Sequence, residues 1–502
     1  MTQNFLFDQL LGSKCTSDAV FAVCEDGKVC RYRDLYDLTG RLAGGMLARG
    51  VAPGDRVTVQ AGKSLEQLAL YLAVIRIGAV YQPLNTAYTA AELAYFLADA
   101  EPRLLVVDPA RVDEVSTLAA DHQIDVVTLE NGPVGVLSEN GLDAPVVARG
   151  KDDLAAILYT SGTTGRSKGA MLTHGNLYSN AHALVDHWRF SAEDHLIHAL
   201  PIFHTHGLFV ATNVTLLAGS SLQFMTKFDS DRVIDAFANA SCLMGVPTFY
   251  TRLLENPRLD RDATASMRLF ISGSAPLLAD THEAFSNRTG HAILERYGMT
   301  ETNMNTSNPY DGARRPGTVG MPLPGVDVRV CDPSSGEPLQ DGEIGSIEVK
   351  GDNVFIGYWN MPEKTAAEFR EDGYFITGDL GRIDDQGYLS IVGRDKDLII
   401  SGGFNVYPKE VELAIDELDG VEESAVVGVP HADFGEAVAA VVVCEDAAAL
   451  TEQQVVQQLR DSLARFKQPK HVFFVDELPR NTMGKVQKNV LRDKLRDRLA
   501  HN

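Results

Sequence analysis

Cysteine is scarce and scattered: the six residues, Cys15, Cys24, Cys30, Cys242, Cys331 and Cys444, include no Cys-x-x-Cys pair. That spacing argues against zinc and dithiol motifs, and so few thiols in so long a chain point to a reducing, cytoplasmic setting. Basic residues are in deficit, 45 Lys and Arg against 68 Asp and Glu for a formal net charge of -23. The surface therefore lacks the positive field on which general nucleic-acid binding depends, although a local pocket on an acidic protein can still be positive. Long apolar runs are missing as well. The longest stretch without Asp, Glu, Lys or Arg, His195 to Thr226, carries Pro201, four histidines and Asn213, which argues against a membrane-spanning helix. Met1 to Asp8 has neither the basic region nor the apolar run of a signal peptide. Repeats and low-complexity tracts are absent.

What is present suits a large globular fold. With 502 residues, 45% hydrophobic and 23% charged, the chain exceeds one ordinary core and is expected to form two or more domains. Tyr32 to Arg49 sets Leu35, Leu38, Leu42 and Met46 at helical spacing and stops at Gly50. Arg56 to Gln60, Leu104 to Asp108 and Asp125 to Leu129 read as strands, and Leu65 to Gly78 as a buried helix. Helices between short apolar strands predict an α/β fold with much parallel sheet. After residue 310, Pro316-Gly, Pro324-Gly, Asp332 to Gly336 and Asp341-Gly separate short runs such as Val326 to Val330 and Ser346 to Val349, the pattern of a β-rich subdomain. Further on, Lys409 to Leu418 and Glu452 to Phe466 read as helices. Glu423 to Val429 and Val438 to Cys444 read as strands, enough for a small α+β domain.

The apolar run Leu154 to Tyr159 is followed by Thr160-Ser161-Gly162-Thr163-Thr164-Gly165-Arg166-Ser167-Lys168. Small hydroxyl residues and glycines after a strand can present amides and hydroxyls to phosphate oxygens, and Lys168 adds a cation. The spacing is not that of the GxxxxGK[ST] loop, so a phosphate loop of another kind and a plain Ser/Thr/Gly turn are both open on these residues alone. The passage resembles the signature of the adenylate-forming superfamily, which includes acyl-CoA synthetases, luciferases and peptide-synthetase adenylation domains. Four further motifs follow in that family's order: Tyr297 to Thr302, Thr377 to Leu380, Gly393 to Asp397 and Pro479 to Lys485. Within the superfamily, His198 to Phe209, Met244 to Leu254 and Tyr297 to Thr306 resemble malonyl-CoA synthetases.

The resemblance implies an N-terminal AMP-binding domain over residues 1–395, containing the β-rich subdomain, and a small mobile α+β domain over 396–502. It also implies an ATP-dependent acid–CoA ligase that uses ATP, Mg2+ and CoA on a small carboxylic acid, with no nucleic-acid, membrane or obligatory protein partner. On that reading Thr160 to Thr164 (with Ser161, Gly162 and Thr163 between) and Lys168 cradle the outer phosphates. Thr300 bonds the α-phosphate and Glu301 holds Mg2+, a hard cation suited to carboxylate oxygen. Ser274, Ala275 and Pro276 frame the adenine together with Tyr297, Gly298 and Met299. Asp379 and Arg394 meet the ribose, Lys485 is the catalytic lysine and Lys396 the hinge. Gly402, Gly403 and Phe404 approach the pantetheine of CoA, the two glycines allowing close passage.

Val246 to Arg252 opens a helix with Pro247 in its first turn. Phe249, Tyr250, Leu253 and Leu254 form its apolar side, with Arg252 one turn from Phe249. A guanidinium beside an apolar pocket is expected to bind a second carboxylate, as malonate requires; the alternative is a solvated arginine with a buried stem. By the resemblance, His204, His206 and Ser274 line the acyl site. A ligase for another short or methyl-branched acid and an enzyme that loads a carrier protein are the rival functions. With no carrier segment after Lys485, a free-standing ligase is favoured. The set Lys485, Glu301, Asp379 and Arg394 argues against an inactive homologue.

Overall fold

The structure is a computed structural model that describes residues 3–130, 137–138, 143–160, 167–401, 404–431, 435–444, 450–460, 463–481 and 484–500. The chain packs as two compact units, Met1–Asp327 with Val349–Phe375, and Val328–Glu348 with Ile376–Asn502. This packing boundary departs from the expected break at 395/396. A four-stranded sheet of Val326–Cys331, Gly345–Gly351, Phe375–Ile383 and Leu389–Arg394 keeps most of the β-rich segment with the C-terminal unit.

The first unit holds two large sheets. In one, Asp125–Val127, Leu104–Val107, Arg56–Gln60, Val80–Pro83 and Leu154–Thr160 lie side by side in parallel, and Lys168–Thr173 returns antiparallel at the edge. Leu104–Val107 is buried on both faces, which is why its sequence is uniformly apolar rather than alternating. The helix Leu65–Arg76 starts at Ser64, whose side chain accepts from the Gln67 amide, and is buried nearly all round. The other sheet is nine-stranded; Ser221–Phe224, His195–His198, Cys242–Gly245, Leu269–Ser272 and Leu294–Met299 run parallel within it, and Asn303–Ser307 folds back antiparallel. Thr160, Ser272 and Met299 stand at the carboxyl ends of parallel strands, the end at which open α/β sheets present their ligand crevice.

In the second unit a five-stranded sheet is built on the long antiparallel pair Val421–His431 and Gly435–Cys444. Successive residues serve opposite faces: Val426 joins a core with Ile415 and Leu459, while Val427 joins one with Leu491 and Leu495. The helix expected to reach Phe466 spans Glu452–Gln458. Val455, Leu459 and Leu463 all enter one core, so the helical spacing persists past the helix itself. No helix among the described residues is long and apolar enough to cross a membrane.

Candidate active site

Thr160 and Lys168 are register partners across the antiparallel edge pair; Ser161, Gly162, Thr163 and Thr164 lie outside the described residues. The edge strand also bridges Ala170 to Tyr358, and Trp359 N–H donates to Gly169 O at 2.7 Å. Gly169 allows this approach, since a Cβ there would stand 3.3 Å from Trp359 Cβ. Tyr358 thereby reaches Lys168. Lys168 Nζ donates to Tyr358 Oη at 3.0 Å and pairs with Glu368 at 3.3 Å, and Tyr358 Oη lies 3.0 Å from Glu301 Oε1 and 2.6 Å from Glu368 Oε2. Neither Tyr358 nor Glu368 was marked by the sequence reading. Glu368 sits four residues after Lys364, which it pairs with at 2.6 Å, and so resembles an ordinary surface helix pair.

Glu301 is buried, and burial raises its carboxyl above the usual range. Among the described residues its two side-chain hydrogen bonds, from Tyr358 and from Thr160 Oγ1 at 3.4 Å, both fall on Oε1. A buried carboxylate of this kind calls for positive charge and fits a hard cation. Among the described residues no group of three or more His, Cys, Asp and Glu side chains is assembled for a metal. Mg2+ on Glu301 would therefore draw its other ligands from phosphates and water, its usual habit. Thr300 is half-buried beside it, and Tyr297 is buried.

A second group lies at the strand ends of the nine-stranded sheet. His206 is fully buried at the start of the π-helix His206–Thr212, a form concentrated at functional sites. Lys63 Nζ contacts His198 Nδ1 at 3.0 Å, and His198 Nε2 contacts Gly207 O at 2.9 Å, holding that helix in place. His206 Nδ1 meets Ser274 Oγ at 3.2 Å, while His206 Nε2 has no partner among the described residues. Burial, then the charge of Arg296, holds this imidazole well below its usual range, so it is neutral. Ser274 sits at φ +73°, a backbone region uncommon outside glycine and frequent at functional sites. His204 is half-buried, and its Nδ1 accepts from the His206 amide at 3.3 Å.

Arg296 is the residue the sequence reading missed. It is buried, its Nε, Nη1 and Nη2 all lack partners among the described residues, and burial lowers its pKa to about 9. Arg252, by contrast, is exposed, in a surface hollow shared with Asp229, Asp231 and Glu255. The helix Pro247–Glu255 buries Phe249, Tyr250 and Leu253; position 252 falls some 200° round from 250 and faces water. The helix does reach the buried group, but through Tyr250, whose Oη donates to Ile271 O at 2.6 Å and whose phenol is within electrostatic reach of Arg296. The signal for Arg296 was a pair of charged residues, Glu295 and Arg296, inside a buried strand, Leu294–Met299, of which Glu295 has a partner in His282.

In the second unit Asp379 and Arg394 are register partners, joined at 3.2 Å from Arg394 Nε to Asp379 Oδ1. Asp379 is buried, and its amide donates to Thr377 Oγ1 at 3.1 Å. Lys396 lies on the turn Asp395–Asp397, where burial, then Arg394, lowers its pKa. Lys485 follows Gly484, at φ +75°, in a turn fixed by Asn481: Asn481 N–H donates to Lys485 O at 2.9 Å, and the Lys485 amide to Asn481 Oδ1 at 3.0 Å. Burial, then the charge of Arg394, brings the Lys485 ammonium down to about 8, with Asp379 opposing and Lys396 adding to the fall. These four residues are thus gathered within the unit. Phe404 is exposed and stacks on Phe466, centroids 4.7 Å apart; Gly402 and Gly403 lie outside the described residues.

Residues 12–359 match the model of the AMP-binding enzyme family, and 410–485 that of the AMP-binding enzyme C-terminal domain. The chain is 59% identical to ATP-bound MatB from Rhodopseudomonas palustris, with a TM-score of 0.96 over 99% of each chain. It is 38% identical over 475 residues to the feruloyl-CoA synthase of an Amycolatopsis species, covering 94% of this chain and 95% of that protein. It is 37% identical over 484 residues to the malonate–CoA ligase of Arabidopsis thaliana, covering 89% and 79%.

Proposed function

The chain belongs to the AMP-binding enzyme family of adenylate-forming acid–CoA ligases, and from that premise we propose that its acid is malonate, joined to CoA through a malonyl adenylate. Relatives of nearly equal identity are named for ferulate and for malonate, so overall likeness does not choose the acid. The unpaired guanidinium of Arg296 does. A buried cation without a partner is costly by several kcal/mol, and an acid with a neutral tail leaves that cost in place. A dicarboxylate removes it with one carboxylate and keeps the other for reaction, with His206 and Ser274 beside the pair.

The free carboxylate oxygen then attacks the α-phosphorus of ATP, the bond to the β-phosphate oxygen breaks, and pyrophosphate leaves. The thiol sulfur of CoA attacks the acyl carbon and gives up its proton to solvent, and AMP departs as the phosphate anion with the electrons of the anhydride C–O bond. Lys168 and the Thr160 loop hold the outer phosphates, Thr300 the α-phosphate, and Asp379 with Arg394 the ribose hydroxyls. Ser274, Ala275 and Pro276, with Tyr297, Gly298 and Met299, frame the adenine. Lys485 meets the charge that grows during adenylation. Mg2+ at Glu301, when bound, neutralises phosphate charge. Gly402, Gly403 and Phe404 take the pantetheine.

The test is the ratio of kcat/KM for malonate to that for butyrate at saturating ATP and CoA. Removing the partner of a desolvated carboxylate costs about 2–5 kcal/mol, so Arg296→Leu is expected to lower the ratio about 30-fold or more. Arg252→Leu, on the exposed face, is expected to leave it nearly unchanged. An unaltered ratio in Arg296→Leu would remove malonate from the reading.

A further inference from the structure

Three charged side chains converge on one phenol. Tyr358 Oη accepts from Lys168 Nζ at 3.0 Å and faces Glu301 Oε1 at 3.0 Å and Glu368 Oε2 at 2.6 Å. A hydroxyl has one proton to give, so the two carboxylates share a single donor. Glu368 has further partners in Lys364 at 2.6 Å and Lys168 at 3.3 Å, whereas among the described residues the only other side chain bonded to Glu301 is Thr160 at 3.4 Å. The ring is held independently of its hydroxyl: it packs edge-on to Phe355 with centroids 4.8 Å apart, and Lys168 Nζ lies 4.1 Å from its centroid. The backbone is fixed too, since Tyr358 N–H donates to Thr365 Oγ1 at 2.9 Å.

We propose that Tyr358 is a positioning residue that couples the phosphate-binding Lys168 to the metal-binding Glu301, and that Glu368 stands in for phosphate on Lys168 until nucleotide arrives. This rests on the reading of Glu301 as the Mg2+ ligand. A nucleotide phosphate on Lys168 replaces Glu368 as its counter-ion. The Tyr358 hydroxyl, released from bridging a lysine and its carboxylate, then serves Glu301 Oε1 and leaves the rest of that carboxylate turned to the metal.

The experiment is equilibrium binding of ATP to the full chain, without metal and across a Mg2+ titration, with thermal melting of each variant. Tyr358→Phe removes one atom and keeps the ring contacts. It is expected to raise the Mg2+ concentration for half-maximal binding about tenfold, on the scale of a hydrogen bond to a charged group, and to leave metal-free binding within about twofold. Glu368→Gln keeps an acceptor for the hydroxyl but removes the competing anion. It is expected to tighten metal-free binding about threefold, the scale of a partly exposed ion pair. An unchanged Mg2+ midpoint in Tyr358→Phe overturns the coupling, and weaker metal-free binding in Glu368→Gln overturns the stand-in. Glu301→Gln separates the two levels. If it abolishes the Mg2+ effect while Tyr358→Phe leaves the Mg2+ midpoint unchanged, the proposal fails and the metal reading stands; if it leaves the effect intact, both fail.

Discussion

The guanidinium of Arg296 lies against the backbone of Gly273 so closely that a Cβ on Gly273 would stand 2.4 Å from Arg296 Cζ. Gly273 therefore earns its place by vacancy: it leaves room for a buried cation beside Ser274 and His206.

Gly273→Ala is expected to push that cation off its seat. Overpacking a filled site costs about 1–3 kcal/mol, so malonate kcat/KM should fall about tenfold and butyrate kcat/KM much less. In an Arg296→Leu background the same alanine should add little, because neighbours that share one site are not additive. Equal losses for both acids in the wild-type background would mean that the glycine serves only packing.

This pair also shows where sequence stopped being a guide. The α/β layers and the β-rich stretch follow from strand periodicity, and Asp379 and Arg394 are singled out by motif order, both local properties; that the two pair across strands is seen only in the structure. The helix carrying Phe249 and Tyr250 was placed correctly as an element, yet the guanidinium was sought on it, at Arg252. Which face a helix buries is decided by its neighbours in space, and here Tyr250 takes the inward position. Arg296 was hidden in a strand beside a motif that had drawn attention to Tyr297. Tyr358 comes to Lys168 by a bridge between residues nearly two hundred apart, a contact no local pattern carries.

Lys485→Ala is expected to abolish adenylation while sparing most thioester formation from preformed malonyl adenylate. Preorganised charge stabilisation is worth about 100-fold or more, and the alanine removes the only group of that loop assigned to it. ATP–pyrophosphate exchange near the wild-type rate would refute the assignment.

The pH profile follows from the sign of the Lys485 shift. Its pKa is lowered to about 8, by burial first and by Arg394 next, and only the ammonium neutralises developing phosphate charge. With butyrate, which makes no demand on Arg296, adenylation kcat/KM, which reports the free enzyme, should be flat below about pH 7 and fall tenfold per unit above about 8. A solvated lysine would hold the plateau to about pH 10. An alkaline limb in that higher range would show that burial does not govern this lysine in solution.

Lys396 allows charge and backbone to be tested separately. Its positive charge helps to lower Lys485, so Lys396→Met should move the alkaline limb of adenylation upward and leave thioester formation otherwise unimpaired. Lys396→Pro removes the same charge and also fixes φ near -65°. The residue lies in the short turn Asp395–Asp397, where proline is tolerated in the first turn, so adenylation should survive with the same upward limb. If the chain must rotate about this residue between half-reactions, proline alone should block thioester formation, by about 100-fold or more on the scale of a catalytic group withheld. Single-turnover measurement of each half-reaction in the two variants decides it. Equal loss of both half-reactions in Lys396→Pro, or loss of thioester formation in Lys396→Met as well, would place the effect in the side chain and remove the hinge.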